Sequence, residues 1–414
     1  MTPKKMRLLV SAGAWGYGPV TTVHMFLDQL SRIAQIDFVG TSIAFDYART
    51  HSMLYRRVMS SLDEIDTKYD LVLSVVEPTI LLWARERGVP SISFDNLFWH
   101  WNWTDSVLEN VRDRLDSENT SDREATLTAL ADLGEYAEYS LMYVLSEVVI
   151  CQRVASVPVG LPEAMTSRMC FVDPLLRRIT PEAKQRQLLL SLSGGLVNPM
   201  ATERHWDVYV ELIARILLSA LEEAKVYHFK VKVAAPDELN GRLRSRLHTE
   251  DVQAYDHGSF LKEVSRSRLV IAPKGLSTTF EAAYYGAVLF SLPEQHDGNL
   301  YNYHGVAELS GLDYDEFKAV FPDAQIGNFH EDLSLCSTEE LFQAYEHELA
   351  CSHSSYVEDS VKRLTSIIRA SSDDELFTRA AARQIGAIRA FGGDLDGIEQ
   401  SMRLIEGVIS MRNE

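Results

Sequence analysis

Positive charge is in short supply in this chain. Among 414 residues, 40 lysines and arginines stand against 59 aspartates and glutamates, a formal net charge of −19. That balance argues against nucleic acid as a partner, because such binding draws most of its affinity from Lys and Arg neutralising phosphates. Cysteine is scarce as well. Cys151, Cys170, Cys336 and Cys351 are widely scattered, with no CxxC and no Cys/His ligand spacing. Neither a disulfide framework nor a zinc site is expected, and a reducing cytoplasm fits best. Long apolar runs are missing: the one in MTPKKMRLLVSAGAWG breaks after a few residues, and none elsewhere approaches the ~18 residues of a membrane span. A soluble protein without stable membrane association is expected. Two nucleotide fingerprints are also absent. No GxxxxGK followed by Ser or Thr occurs, which removes the P-loop NTPases, and the glycines at 13, 16 and 18 do not have the dinucleotide spacing GxGxxG.

What remains is ordinary globular material, 46% apolar and 24% charged, too long for one small core, so two domains are expected. Short β-rich runs recur with helical segments between them: RLLVS (7–11), IDFVG (36–40), DLVLSVV (70–76), PSISF (90–94) and EVVIC (147–151). This alternation predicts an α/β fold with a parallel sheet. After a Pro-bearing stretch the pattern restarts with LLLSLS (188–193), HFKVKVAA (228–235), DVQAY (251–255), RLVIA (268–272) and VLFSL (288–292). The expected division is residues 1–180 and 185–390, with a C-terminal helix over 391–414 packing back on the first domain. Within the second domain, Trp206, Val210, Ile213, Leu217 and Leu221 recur at three- and four-residue spacing, an amphipathic helix with one buried face. From about residue 335 the chain reads as covering helices.

In open parallel sheets ligands bind outside the carboxyl ends of the strands, so the residues just after each strand carry most weight. SAGAWGYGP (11–19) follows the first strand and its glycines permit close backbone approach, although a tight turn accounts for it equally well. SLSGGLVNP (191–199) offers Gly194 and Gly195, whose N–H groups suit a phosphate oxygen. KGLSTTFEAAYYG (274–286) follows RLVIA, with Gly275, Thr278 and Glu281 three residues apart. A helix beginning near Ser277 would turn its first N–H groups and the hydroxyls of Ser277, Thr278 and Thr279 toward an anion, with Glu281 one turn further in. The competing reading is a plain N-cap, Ser277 with Glu281 supporting the macrodipole.

The continuation weighs between them. RLVIAPKGLSTTFEAAYYGAVLFSLPEQHDGNLYN resembles the C-terminal-domain signature of GT-B glycosyltransferases, among them the bacterial lipid II N-acetylglucosaminyltransferase and the UDP-glycosyltransferases. SAGAWGYGP is similar to the glycine-rich loop of their first domain, and LLLSLSGG to the strand and loop opening their second. The resemblance implies two Rossmann-like domains facing across a cleft, with C-terminal helices. It implies a nucleotide-sugar co-substrate and no cofactor or metal. Glu281 would bind the ribose hydroxyls and Gly275 to Thr278 would face the diphosphate. His257, Gly258 and the rest of the loop to Phe260 would pass over the base, and Asp297 and Asn299 would meet the donor sugar. The DxD-like pairs Asp313/Asp315 and Asp394/Asp396 lie away from any expected strand end and read as solvated loop acids.

The chain also departs from that pattern. Many members carry a His in the first glycine-rich loop, in some of them the catalytic base, where this chain has Tyr17 beside Gly16; an unperturbed tyrosine, with a pKa of about 10, is a poor base. After Asp297 the sugar-binding positions read Gly298, Asn299 and Leu300. The other candidates for the base are Glu77 and Asp95, each ending an expected strand, with cap or turn roles as the alternative and His24 further behind. NLFWHWNWTD places Trp99, Trp101 and Trp103 at alternate positions around His100. These aromatics suit a sugar-accepting small molecule, but core packing under a loop or a dimer contact is the competing reading and stands slightly ahead. The leading expectation is an inverting, metal-independent transfer from a UDP-sugar to a small soluble substrate, such as a natural-product or aminosugar intermediate. A nucleotide-sugar epimerase or hydrolase and a catalytically silent binding subunit remain open, and no oligomeric state is implied.

Overall fold

The computed structural model describes residues 5–14, 16–98, 101, 103–117, 122–134, 136–153, 161–192, 201–226, 228–273, 275–293, 295 and 338–411. The chain forms two compact units, one of Met1–Arg177 with Asp394–Glu414, the other of Arg178–Gly393.

The first unit runs β1 (Met6–Ala12), α1 (Tyr17–Ile33), β2 (Ala34–Val39), α2 (Ser42–Thr50), β3 (Arg57–Met59), β4 (Leu71–Val75), α3 (Pro78–Glu86), β5 (Ser91–Asp95), α4 (Asp105–Ser117), α5 (Arg123–Ala131), α6 (Leu141–Leu145), β6 (Val148–Gln152), α7 (Glu163–Thr166) and β7 (Met169–Val172). Its sheet has the order β3-β2-β1-β4-β5-β6-β7, every neighbouring pair parallel. Helices cover a parallel sheet on both faces, so its strands are buried on both sides; β4 and β5 are buried at every position, including the polar Ser91, Ser93 and Asp95. On α1, Val20, Val23, Phe26, Leu27 and Leu30 make the buried stripe. The strands β3 and β7 were not anticipated. Each is three or four residues long and largely half-buried, too short to show a period.

The second unit runs β8 (Gln185–Ser191), α8 (Glu203–Ala224), β9 (Lys230–Ala234), α9 (Asp237–Leu247), β10 (Val252–Gln253), α10 (His257–Arg266), β11 (Ser267–Ala272), α11 (Leu276–Tyr284), β12 (Val288–Ser291), α12 (Thr338–Ala350), α13 (Ser355–Ser372) and α14 (Asp374–Gly392). The order is β10-β9-β8-β11-β12, again all parallel. The two-residue period of β8 divides the core: Leu188 and Leu190 pack with α8, α9 and α13, while Leu189 packs with α10 and α11 on the opposite face. In α8, Tyr209, Val210, Ile213, Ile216, Leu217 and Ala220 are buried, with Trp206 and Leu221 partly buried at the stripe's edge. Thr202 and His205 close a capping box at its start.

The chain then returns to the first unit as α15 (Gly397–Met411), which packs on α1 and β7. A β-carbon at Gly397 would stand 1.9 Å from the Asp173 carbonyl oxygen, so only glycine permits this backbone approach. Asp173 fastens the segment, its N–H donating to Gln400 Oε1 (2.8 Å) and its Oδ2 accepting from the Asp394 N–H (3.0 Å). Among the described residues no helix is long and apolar enough to cross a membrane.

Candidate functional site

In each sheet the chain starts in the middle, winds to one edge, then crosses to the other side. The crossing leaves a topological switch point, between β1 and β4 in the first unit and between β8 and β11 in the second. Crevices at the carboxyl ends of such strand pairs are where doubly wound sheets bind ligands.

At the second unit's switch point, β11 ends at Ala272 and the chain turns through Pro273 to Gly275, whose N–H donates to the Pro273 carbonyl at 2.7 Å. Gly275 is the N-cap of α11, and among the described residues no side chain caps that end. The helix therefore begins one residue earlier than expected, and Ser277 lies inside the first turn instead of capping it. The N–H groups of a first turn carry no intrahelical partner and the positive end of the macrodipole. Ser277 and Thr278 line this turn, half-buried. Thr279 turns back to the Gly275 carbonyl (2.9 Å), which commits its hydroxyl to the protein.

Glu281 follows in the next turn, 2% exposed, with Oε1 2.6 Å from Nε2 of His257. His257 opens α10, whose first turn is capped by Asp256 accepting from the Ser259 N–H at 3.1 Å, with Gly258 beside it. An ionised carboxylate can only accept, so Nε2 carries the shared proton, and Nδ1 is the ring nitrogen not used by Glu281. That Nδ1 is buried without a partner among the described residues. The structure thus brings together Gly275, Ser277, Thr278 and Glu281, and adds His257 by a direct bond. Gly194, Gly195, Asp297 and Asn299 lie outside the described residues, as do Trp99 and His100 of the first unit.

At the first unit's switch point, the Gly13 N–H donates to the Val75 carbonyl (2.9 Å), joining the ends of β1 and β4. Gly16, at φ 135°, is the N-cap of α1, a conformation that demands glycine. Tyr17 is the first residue of the helix, half-buried, its ring 5.6 Å from that of Tyr47. Across the switch point, Glu77 is the N-cap of α3 and accepts from the Thr79 N–H at 3.0 Å, with Pro78 at the first helical position. Burial raises its pKa above the usual carboxylate value, against the opposing Thr79 bond. Val76 just before it sits at φ 51°. A β-branched residue in the left-handed region is strained, and such strain gathers at functional turns. His24 is packed, 8% exposed, among the rings of Tyr47, His51 and Tyr55.

Two expectations need correction here. Asp95 does end β5, but it is fully buried and accepts from the Leu97 N–H (2.7 Å), Trp101 Nε1–H (2.6 Å) and the Tyr143 hydroxyl (2.5 Å). A carboxylate so enclosed orders the chain after β5 and has no open path to a substrate proton. Burial, opposed by these bonds, pushes its pKa up to about 6. Trp101 is likewise interior, 5% exposed, stacked nearly parallel on Trp103 (5.1 Å, 1°) and on Tyr139 (5.3 Å, 9°). It is core packing, not an exposed aromatic platform.

No protein-family model matches the chain, and no curated protein matches it in sequence. Among solved structures it is similar to spinosyn rhamnosyltransferase SpnG in complex with spinosyn aglycone, at 13% identity and a TM-score of 0.49, over 97% of this chain and 100% of that one. It is also similar to CalG4, the calicheamicin glycosyltransferase (17%, TM-score 0.40, over 95% and 100%). A third is UDP-glucose: anthocyanidin 3-O-glucosyltransferase in complex with UDP (14%, TM-score 0.43, over 94% and 99%). The two-unit α/β description stands on the strand orders themselves.

Sequence reasoning passed over Tyr143 and Asn96. Tyr143 lies 48 residues from Asp95 and nothing local couples them. Asn96 directly follows β5, so the strand-end rule that singled out Asp95 also reaches it.

Proposed function

We propose that the protein is a glycosyltransferase of GT-B type that moves a sugar, with inversion and without a metal, from a nucleoside-diphosphate sugar to a small hydroxylated substrate. The observation that carries this reading is the start of α11 at the β8/β11 switch point: a helix N-terminus with glycine as its cap, followed one turn later by a buried carboxylate held by histidine. The N–H groups with Ser277 and Thr278 receive the diphosphate and stabilise the charge that builds on it as the sugar leaves. Glu281 takes the ribose diol, and His257 lies against the nucleoside. UDP is favoured over dTDP because a carboxylate gains most from a complete diol. In the first unit Glu77 acts as general base, since it is half-buried at a switch point with a raised pKa, whereas Asp95 is sealed in.

Calorimetric titration with UDP, dTDP, GDP and ADP, with and without magnesium, tests the reading. Saturable metal-free binding of UDP is expected, weakened about 10- to 100-fold in Glu281→Gln, the value of one or two hydrogen bonds to a charged group. Equal binding of UDP by wild type and variant would overturn the assignment.

A further inference from the structure

Asn96 lies just beyond β5, and the pairing of Val75 with Phe94 sets the ends of β4 and β5 level, so it stands beside the turn that carries Glu77. Its Nδ2 donates to Thr22 Oγ1 at 3.2 Å, and Thr22 Oγ1 donates to the Gly18 carbonyl in the first turn of α1 at 3.0 Å. Thr22 is 3% exposed and has one proton, which Gly18 receives. Thr22 must therefore accept from Asn96, and this settles which way the amide faces: NH2 toward α1, Oδ1 away from it.

That Oδ1 is buried and has no partner among the described residues. Two donors that follow it in the chain, the Leu97 N–H and the Trp101 indole N–H, are both committed to Asp95. A buried amide oxygen left bare in this way is destabilising, and in a folded protein it calls for a partner that the described residues do not supply. Here it sits at the carboxyl edge of a parallel sheet, next to the switch point and the strained Val76.

We infer that Asn96 Oδ1 binds a hydroxyl of the sugar-accepting substrate, and that Thr22 and Gly18 hold the amide in the required orientation. The inference rests on the proposed role of the first unit as receiver of that substrate. The missing partner has to donate a proton. A phosphate or carboxylate cannot satisfy Oδ1, whereas a hydroxyl can, and the oxygen of a methyl ether cannot.

The test titrates 7-hydroxy-4-methylcoumarin and its 7-methoxy ether, a matched flat pair suited to the Tyr17 ring at the same helix start, into wild type, Asn96→Ala and Thr22→Val. Wild type is expected to bind the hydroxy compound about tenfold more tightly than the ether. Asn96→Ala should bind the two alike, with a melting temperature unchanged or raised because a bare acceptor has been removed. Thr22→Val keeps the side-chain shape but frees the amide to turn, and should lose most of the preference. The proposal is overturned if wild type binds both coumarins alike or neither, if either variant keeps the preference, or if Asn96→Ala melts more than about 5 °C lower with the preference intact. UDP titration of the same samples separates the two readings. Loss of UDP binding in wild type would sink the nucleotide-sugar assignment while the coumarin comparison still reads Asn96. Normal UDP binding without coumarin discrimination would sink Asn96 alone.

Discussion

Replacing Gly397 by alanine should separate α15 from the rest of the first unit. The added β-carbon would lie 1.9 Å from the Asp173 carbonyl oxygen, 2.8 Å from that carbonyl carbon and 2.9 Å from the carbonyl carbon of Pro174. All three are backbone atoms, so no rotamer change relieves the clash, and the helix must retreat by more than an ångström. That retreat breaks the bonds from the Asp173 N–H to Gln400 and from the Asp394 N–H to Asp173. Overpacking costs about 1–3 kcal/mol and each lost hydrogen bond about 1 kcal/mol, so the total is about 3–5 kcal/mol. For a unit of this size the melting transition should fall by on the order of 10 °C. Differential scanning calorimetry reads the shift, and limited proteolysis should release the C-terminal segment first. UDP titration serves as the control, because the proposed nucleotide site is built from residues of the second unit alone. A variant melting within about 1 °C of wild type would refute the close approach at Gly397.

Asp95 predicts a pH signature. Its pKa rises from 3.8 to about 6 on folding, so the folded state holds the proton more tightly. The stability this confers is complete below the unfolded value and lost as pH climbs through about 6. It amounts to about 1.4 kcal/mol more stability at pH 5 than at pH 7.5. Urea denaturation at the two pH values should show that difference shrink by the same amount in Asp95→Asn, and an unchanged difference would rule Asp95 out as its source. For Glu77, the transfer rate should rise with pH through a pKa above the ordinary 4.5, because burial favours the neutral carboxyl and only the ionised form can act as base. Glu77→Gln should lose that limb and about 10²- to 10⁴-fold in rate with UDP affinity preserved. A Gln variant within a few-fold of wild type would place the base elsewhere.

Most strands were legible because a parallel sheet buries both faces and writes each strand as an apolar run; RLLVS, DLVLSVV, LLLSLS and RLVIA all became strands. The short edge strands β3 and β7 were not, since three or four half-buried residues carry no period. The glycine-to-glutamate stretch after β11 could be singled out from spacing alone, yet its cap lies two residues before Ser277, because Gly275 and Ser277 are both acceptable caps and only the turn at Pro273 chooses between them.

Local chemistry therefore determined the α/β class, the restart near residue 185 and the strand ends worth inspecting. Tertiary structure decided what those ends do. Asp95 and Glu77 look alike in sequence, each an acid closing an apolar run. One is sealed by Trp101 and by Tyr143, 48 residues away, while the other remains half-buried on a helix cap. Trp101 likewise reads as either aromatic platform or core until Trp103 and Tyr139 close over it. The bond between His257 and Glu281 spans 24 residues and two helices. Propensity and periodicity act over a few residues, whereas burial and hydrogen-bond partners are set by whichever distant segments the fold brings into contact.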